Sequence, residues 1–211
     1  VPAVDLSLCA ILDRDIDCRF SIEDFAAEVV AGGATCLQVR LKNETTLSII
    51  DFTRRILAVA GMTQTPVIVN DRVDVALATG AQGVHLGADD MPVADARRLC
   101  GGAIVIGATV RDLASARDAE RAGADYLGVG PIFVSPVKPD LTRIAPGTLR
   151  SIRSGISLPI VAIGGINETN AATPVKEGAD GVAVISALRQ CDSPKEAASR
   201  LRTAIDTAKK R

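Results

Sequence analysis

Short apolar runs alternate with helix-period segments along this chain, and the alternation is its most informative feature. The stretch Val67–Met91, VIVNDRVDVALATGAQGVHLGADDM, shows it most clearly. Two apolar runs, Val67–Val69 and Gly83–Leu86, flank a helix-period segment over Arg72–Thr79 that Gly80 closes. Each run ends in a polar cluster, Asn70-Asp71 after the first and Gly87-Ala88-Asp89-Asp90 after the second. The pattern predicts one strand–helix–strand unit with carboxylates leaving the same end of two neighbouring parallel strands.

One phrase recurs four times: Gly33-Ala34-Thr35, Gly80-Ala81-Gln82, Gly123-Ala124-Asp125 and Gly178-Ala179-Asp180, each followed directly by an apolar strand. Its glycine can stop a helix in the left-handed conformation. The interval of about 45–55 residues fits two β/α units per copy at roughly 25 residues per unit. Filling in the intermediate units predicts eight strands near Leu8–Leu12, Thr35–Arg40, Val67–Asn70, Gly83–Leu86, Ala103–Ile106, Tyr126–Val129, Pro159–Ile163 and Gly181–Ile185. Helix starts are expected at the capping box Ser21-Ile22-Glu23-Asp24, at Asp112 and at Ser193-Pro194. Eight alternating units with apolar strands predict a (β/α)8 TIM barrel in one domain spanning 1–211. An open doubly wound sheet is the competing arrangement, weakened because no GxGxxG opens an early helix.

Composition narrows the chemistry. With 47% apolar and 23% charged residues over 211 positions, the chain is globular and large enough to bury a full core. A net charge of −1, no Trp and one Tyr leave neither a basic footprint nor a stacking platform for nucleic acid. No signal pattern opens the chain and no apolar run reaches membrane-spanning length. Five widely spaced cysteines, with no CxxC, fit a reducing cytoplasm better than zinc or a disulfide framework.

The candidate chemistry lies at strand ends, where α/β barrels bind ligands. Alternation after the second strand aims Gln38, Arg40 and Lys42 to one side. The long proline-bearing segment after the sixth, from Gly130 to Pro146, contains Ser135 and Lys138 and has the length of a lid. Arg40, Lys42 and Lys138 could clamp a polyphosphate. Asp71 and Asp90 could share one hard cation, although each also stands where a helix N-cap belongs. Gly164-Gly165 and Ile185-Ser186 follow the seventh and eighth strands, where barrels cradle a phosphomonoester or simply turn. The single histidine, His85, lies inside a strand, where a satisfied core residue is the plainer assignment. No nucleophile–base pair is evident, which points to chemistry done by charge.

At these residues the chain resembles the thiamin phosphate synthase (thiamin-phosphate pyrophosphorylase) family nearly end to end. The resemblance is carried by Gln38-x-Arg40-x-Lys42, Val69-Asn70-Asp71, His85-x-Gly87-x-x-Asp90, Gly130-Pro131-Ile132-Phe133, Lys138, Gly164-Gly165 and Ile185-Ser186. It implies a transferase that joins hydroxymethylpyrimidine diphosphate to thiazole phosphate and releases diphosphate by a dissociative substitution. By position, Asp71 and Asp90 would ligate Mg2+, and Arg40, Lys42, Thr109 and Lys138 would hold the diphosphate. Gln38 and Asn70 would orient the pyrimidine, with His85 on the same substrate wall; Ser135, Gly165, Ile185 and Ser186 would take the thiazole phosphate. The chain departs from the family's Thr-x-Thr-Lys lid with Ser135-Pro136-Val137-Lys138, and has Cys9 where an aromatic residue is common. A thiazole tautomerase-like isomerase lacks the Asn-Asp pair and the second Asp; a non-catalytic barrel binding a thiamin precursor is the other alternative. The partners implied are small molecules, with no nucleic acid and no membrane, and a homo-oligomer is compatible with the sequence.

Overall fold

The computed structural model describes residues 4–14, 20–134 and 142–210. Eight parallel strands close in sequence order: β1 Leu8–Leu12, β2 Cys36–Val39, β3 Val67–Asn70, β4 Gly83–Leu86, β5 Val105–Val110, β6 Tyr126–Val129, β7 Ile160–Ile163 and β8 Gly181–Val184, with β8 pairing back onto β1. The connecting helices are α1 Ile22–Ala31, α2 Thr46–Gly61, α3 Val73–Thr79, α4 Val93–Cys100, α5 Leu113–Arg121, α6 Thr148–Gly155 and α7 Ala172–Lys176, followed by α8 Ser186–Arg189 and α9 Pro194–Lys209. The architecture is a (β/α)8 TIM barrel, so the doubly wound alternative is excluded. Ser21 and Ser193 cap α1 and α9 through Asp24 N and Glu196 N, and Asp112 forms a reciprocal capping box with Ser115 on α5.

Period-2 alternation divides the core. Outward strand residues such as Leu8, Leu37, Leu127 and Val182 pack beneath the helices. Inward residues Cys9, Ile11, Cys36, Ile68, Val105, Tyr126, Val161 and Ala183 fill the barrel. One strand differs from expectation at both ends: β5 begins at Val105 rather than Ala103 and runs on to Val110, beyond Ile106. Gly107 breaks the apolar run in the sequence, yet it belongs in the strand because Tyr126 needs its space. A Cβ on Gly107 would stand 2.1 Å from the Tyr126 ring.

The fourfold phrase has a common structural meaning. Gly33, Gly80, Gly123 and Gly178 all take positive φ, and the residue two places on closes a reciprocal pair with the preceding strand. Thr35 N donates to Leu8 O while Leu8 N donates to Thr35 Oγ1, at 2.9 Å each. Gln82 does the same with Val67, Asp125 with Ile106 and Asp180 with Ile160, with the strand amide 2.7–2.8 Å from the side-chain oxygen. Each even-numbered strand thereby satisfies an amide at the start of the odd-numbered strand before it. Arg97 adds a 2.5 Å contact to Asp125, and Arg153 a 3.1 Å contact to Asp180. These clamps lie at the N-terminal end of the barrel, the stability face of this fold. Asp125→Ala should leave the Ile106 amide without its acceptor and cost about 1–3 kcal/mol in urea unfolding. A loss below ~0.5 kcal/mol would show that the clamp is dispensable.

Candidate active site

A cavity opens at the C-terminal end of the barrel, lined by Ile11, Gln38, Arg40, Asn70, His85, Thr109, Pro131, Ile163, Gly164, Gly165, Ile166, Ala183, Val184, Ile185 and Ser186. Alternation delivers most of these: Gln38 and Arg40 follow Cys36 inward on β2, Asn70 follows Ile68 on β3, and Thr109 follows Val105 and Gly107 on β5. Among the described residues, no side-chain partner engages Gln38, Arg40 or Asn70, so their polar atoms are available to a ligand. Eight of the thirteen candidate residues from the sequence line this one mouth. Ser135 and Lys138 lie outside the described residues.

The remaining three, Lys42, Asp71 and Asp90, form a charged cluster at its rim. The carboxyl groups of Asp71 and Asp90 are within hydrogen-bonding reach of one another, and Lys42 Nζ pairs with Asp71 Oδ2. Asp90 is folded back onto β4: its Oδ2 accepts the Gly87 amide at 2.7 Å, and a Cβ on Gly87 would stand 2.8 Å from that oxygen. The spacing Gly87-x-x-Asp90 is therefore what a short carboxylate-closed turn requires.

Neither acid is a helix cap. The residue capping α3 is Arg72 and that capping α4 is Pro92, with no side-chain cap bond at either. Asp71 instead takes a left-handed φ of 66° while its amide continues the β3–β4 pairing to His85 O at 2.8 Å. That conformation costs a non-glycine residue about 1–2 kcal/mol and turns the carboxylate toward Asp90.

The electrostatics follow from the crowding. Burial raises the Asp71 pKa, the Asp90 neighbour adds to the rise, and Lys42 opposes it. At Asp90 burial also favours the neutral acid, but the hydrogen bond with Asp71, the Gly87 amide and Lys42 together hold its pKa below the usual value. The two acids titrate as one unit that retains a proton longer than isolated carboxylates do. Two hard oxygen donors facing each other suit a small divalent cation. Among the described residues no third His, Cys, Asp or Glu joins them, so a cation here would complete its shell with water and ligand oxygens.

His85 lines the mouth, but both ring nitrogens serve protein groups: Nδ1 is 2.9 Å from Tyr126 Oη and Nε2 is 2.9 Å from Thr109 Oγ1. Burial lowers its pKa to about 4, against the pull of Asp90. The imidazole is therefore neutral at physiological pH. Sequence reasoning passed over Tyr126 as a strand residue; its signal was the chain's one tyrosine set two places before Gly128 in an alternating strand.

On the far side, Gly164 and Gly165 take φ of 100° and 64°, and a Cβ on either would strike Pro131 or Phe133 and Val134 O. Close backbone packing against the segment after β6 thus fixes both glycines. They still form part of the cavity wall beside Ile185 and Ser186.

Comparison with known proteins agrees with this geometry. The family described as thiamine monophosphate synthase matches residues 8–188. The chain belongs to that family. It is 44% identical to the thiamine-phosphate synthase of Chloroflexus aurantiacus over 99% of this chain and 96% of that protein. With the thiamine-phosphate synthase of Methanospirillum hungatei it shares 42% identity over 93% and 96% of the two chains. The solved thiamine phosphate pyrophosphorylase of Pyrococcus furiosus superposes with a TM-score of 0.89 at 37% identity, covering 97% of each chain.

The strained, like-charged pair predicts a stability–function conflict. Asp71→Asn removes the carboxylate crowding, and asparagine tolerates positive φ. Its thermal unfolding should occur at or above the wild-type temperature, while activity falls at least a hundredfold. A destabilised variant with intact turnover would mean that Asp71 is structural.

Proposed function

We infer that this chain is a thiamin phosphate synthase: a transferase that joins hydroxymethylpyrimidine diphosphate to thiazole phosphate. In that reaction the bond between the pyrimidine methylene and the diphosphate oxygen breaks, the thiazole nitrogen bonds to the methylene carbon, and diphosphate departs. The observation that carries the reading is the convergence of Asp71, Asp90 and Lys42 beside Arg40 at the mouth of a barrel that also presents neutral amides. A leaving group that gains charge needs cations already oriented toward it, and no nucleophile is required from the protein.

In this reading Arg40 and Lys42 hold the diphosphate, with Thr109 donating a hydrogen bond and Lys138 joining from the lid. Gln38 and Asn70 have donors and acceptors free to orient the pyrimidine ring. The wall formed by Gly165, Ile185 and Ser186, with Ser135, receives the phosphate of the second substrate. Asp71 and Asp90 would hold Mg2+, which when bound supplies charge neutralisation for the diphosphate. The ion pair between Lys42 and Asp71 supports this reading. A cytoplasmic setting fits the buried thiols of Cys9, Cys36 and Cys100, and no described helix is long and apolar enough to cross a membrane.

Incubation with both substrates and Mg2+ tests the reading directly. Diphosphate should be released only when the thiazole phosphate is present. Interconversion of thiazole isomers without diphosphate release would indicate the tautomerase, and saturable binding without turnover the sensor-like barrel. Lys42→Ala should lower kcat/KM about 10–100-fold, as loss of a charged hydrogen bond worth ~1.5–3 kcal/mol implies.

Cation binding has its own readout. The Asp71 pKa is raised on folding, so its contribution to stability is complete at low pH and is lost as pH rises through the folded value. Mg2+ should restore that loss by binding the ionised pair. The melting temperature should therefore rise with millimolar Mg2+ more above the folded Asp71 value than below it, and not at all in Asp90→Asn. An equal rise in that variant would place the cation elsewhere.

A further inference from the structure

Tyr126, His85 and Thr109 form a single line of hydrogen bonds that runs from the sealed barrel interior to the open mouth. Tyr126 is 3% exposed and is packed among Cys9, Cys36 and Val161. Its hydroxyl has one hydrogen-bond partner among the described residues, His85 Nδ1 at 2.9 Å. A buried phenol must place its proton on an acceptor, and only this nitrogen is offered. Nδ1 therefore accepts. In a neutral imidazole the other nitrogen must then carry the hydrogen, so Nε2–H donates to Thr109 Oγ1, 2.9 Å away. The Thr109 hydroxyl, with one lone pair engaged by Nε2–H, has no described acceptor for its own proton except whatever enters the cavity it lines.

The backbone is shaped for this line. A Cβ on Gly107 would lie 2.5 Å from Tyr126 Oη, and one on Gly128 would lie 2.7 Å from His85 Cε1. Two strand glycines thus leave the slots that the two rings occupy, with centroids 5.4 Å apart. Side chains at either position would displace the rings from hydrogen-bonding distance.

We propose that Tyr126 and His85 are positioning residues that direct the Thr109 hydroxyl as a hydrogen-bond donor toward an anionic oxygen in the barrel mouth. The proposal rests on the reading that a diphosphate-bearing substrate occupies that mouth. A freely rotating threonine hydroxyl accepts or donates as its neighbours require; one already receiving a hydrogen bond from Nε2–H presents its proton outward. An oxyanion is favoured over a group that itself donates, because it accepts the Thr109 proton that has no described protein acceptor.

His85 is the chain's one histidine, so tag-free protein labelled with 15N-histidine gives one imidazole to read by NMR. The expected wild-type spectrum at pH 7 is a neutral ring with its hydrogen on Nε2. A hydrogen on Nδ1, or an even mixture, overturns the proposal whether or not any variant folds. Tyr126→Phe keeps a ring in the Gly107 slot and removes only the hydroxyl. There the tautomer should become mixed, and kcat/KM for the diphosphate substrate should fall about three- to tenfold. The KM for the thiazole phosphate should stay unchanged, and Thr109→Ser should retain the wild-type behaviour that Thr109→Val loses. A Tyr126→Phe enzyme with unaltered tautomer and kinetics would also overturn the proposal. Inorganic diphosphate with Mg2+ separates this result from the substrate reading. If it leaves the His85 signals of the wild type unmoved, the mouth is not a diphosphate site, although an Nε2–H tautomer would still establish the direction of the hydrogen-bond line.

Discussion

Two carboxyl groups held against each other, Asp71 and Asp90, are the constraint around which the mouth of this barrel is arranged. Like charges at that separation repel unless a proton, an ammonium or a metal stands with them. The chain accepts the repulsion and adds to it. Asp71 is held in a left-handed conformation, and Asp90 is folded back over Gly87. Neither arrangement shields the other acid, and neither satisfies a helix end. Asp71 is strained and crowded by Asp90, and what the pair does locally is limited to the turn closed on Gly87 and the ion pair with Lys42.

The opposite end of the barrel shows the contrasting economy. There Thr35, Gln82, Asp125 and Asp180 each close a reciprocal hydrogen-bond pair with the start of the preceding strand. The carboxylates of Asp125 and Asp180 have amide and guanidinium partners within 3.1 Å, so their charge is fully engaged in joining strands. The same residue type is satisfied at one end of the barrel and crowded at the other. Strand direction makes the division possible, because all eight strands carry their C-terminal residues to one mouth and their N-terminal residues to one base.

Much of this was legible in the sequence. The fourfold glycine phrase and the apolar period gave the eight strands, and seven of the eight lie within one residue of their observed limits at both ends: β1, β2, β3, β4, β6, β7 and β8. The exception, β5, failed because glycine inside an apolar run resembles a strand end, whereas Gly107 is there to admit the ring of Tyr126. The placement of Asp71 was harder to read. Asp-x-x-Asp before a helical period has the form of an N-cap, and only the tertiary approach of β4 shows its carboxylate turned elsewhere. The line from Tyr126 to Thr109 was not legible, since it links residues on three strands through distances that no local pattern encodes.

The mouth also divides by charge among the described residues. Arg40, Lys42, Asp71 and Asp90 stand on the side formed by β2, β3 and β4, whereas Gly164, Gly165, Ile185 and Ser186 stand on the side of β7 and β8, flanked by the aliphatic side chains of Ile163 and Ile166. Neutral amides and the Thr109 hydroxyl lie at the strand ends between β2 and β5. Among the described lining residues the β7–β8 side presents backbone and the Ser186 hydroxyl, whereas the β2–β4 side carries cations and acids together. Under the proposed reaction, that asymmetry of charge would favour the polyanion on one side and the second phosphate on the other.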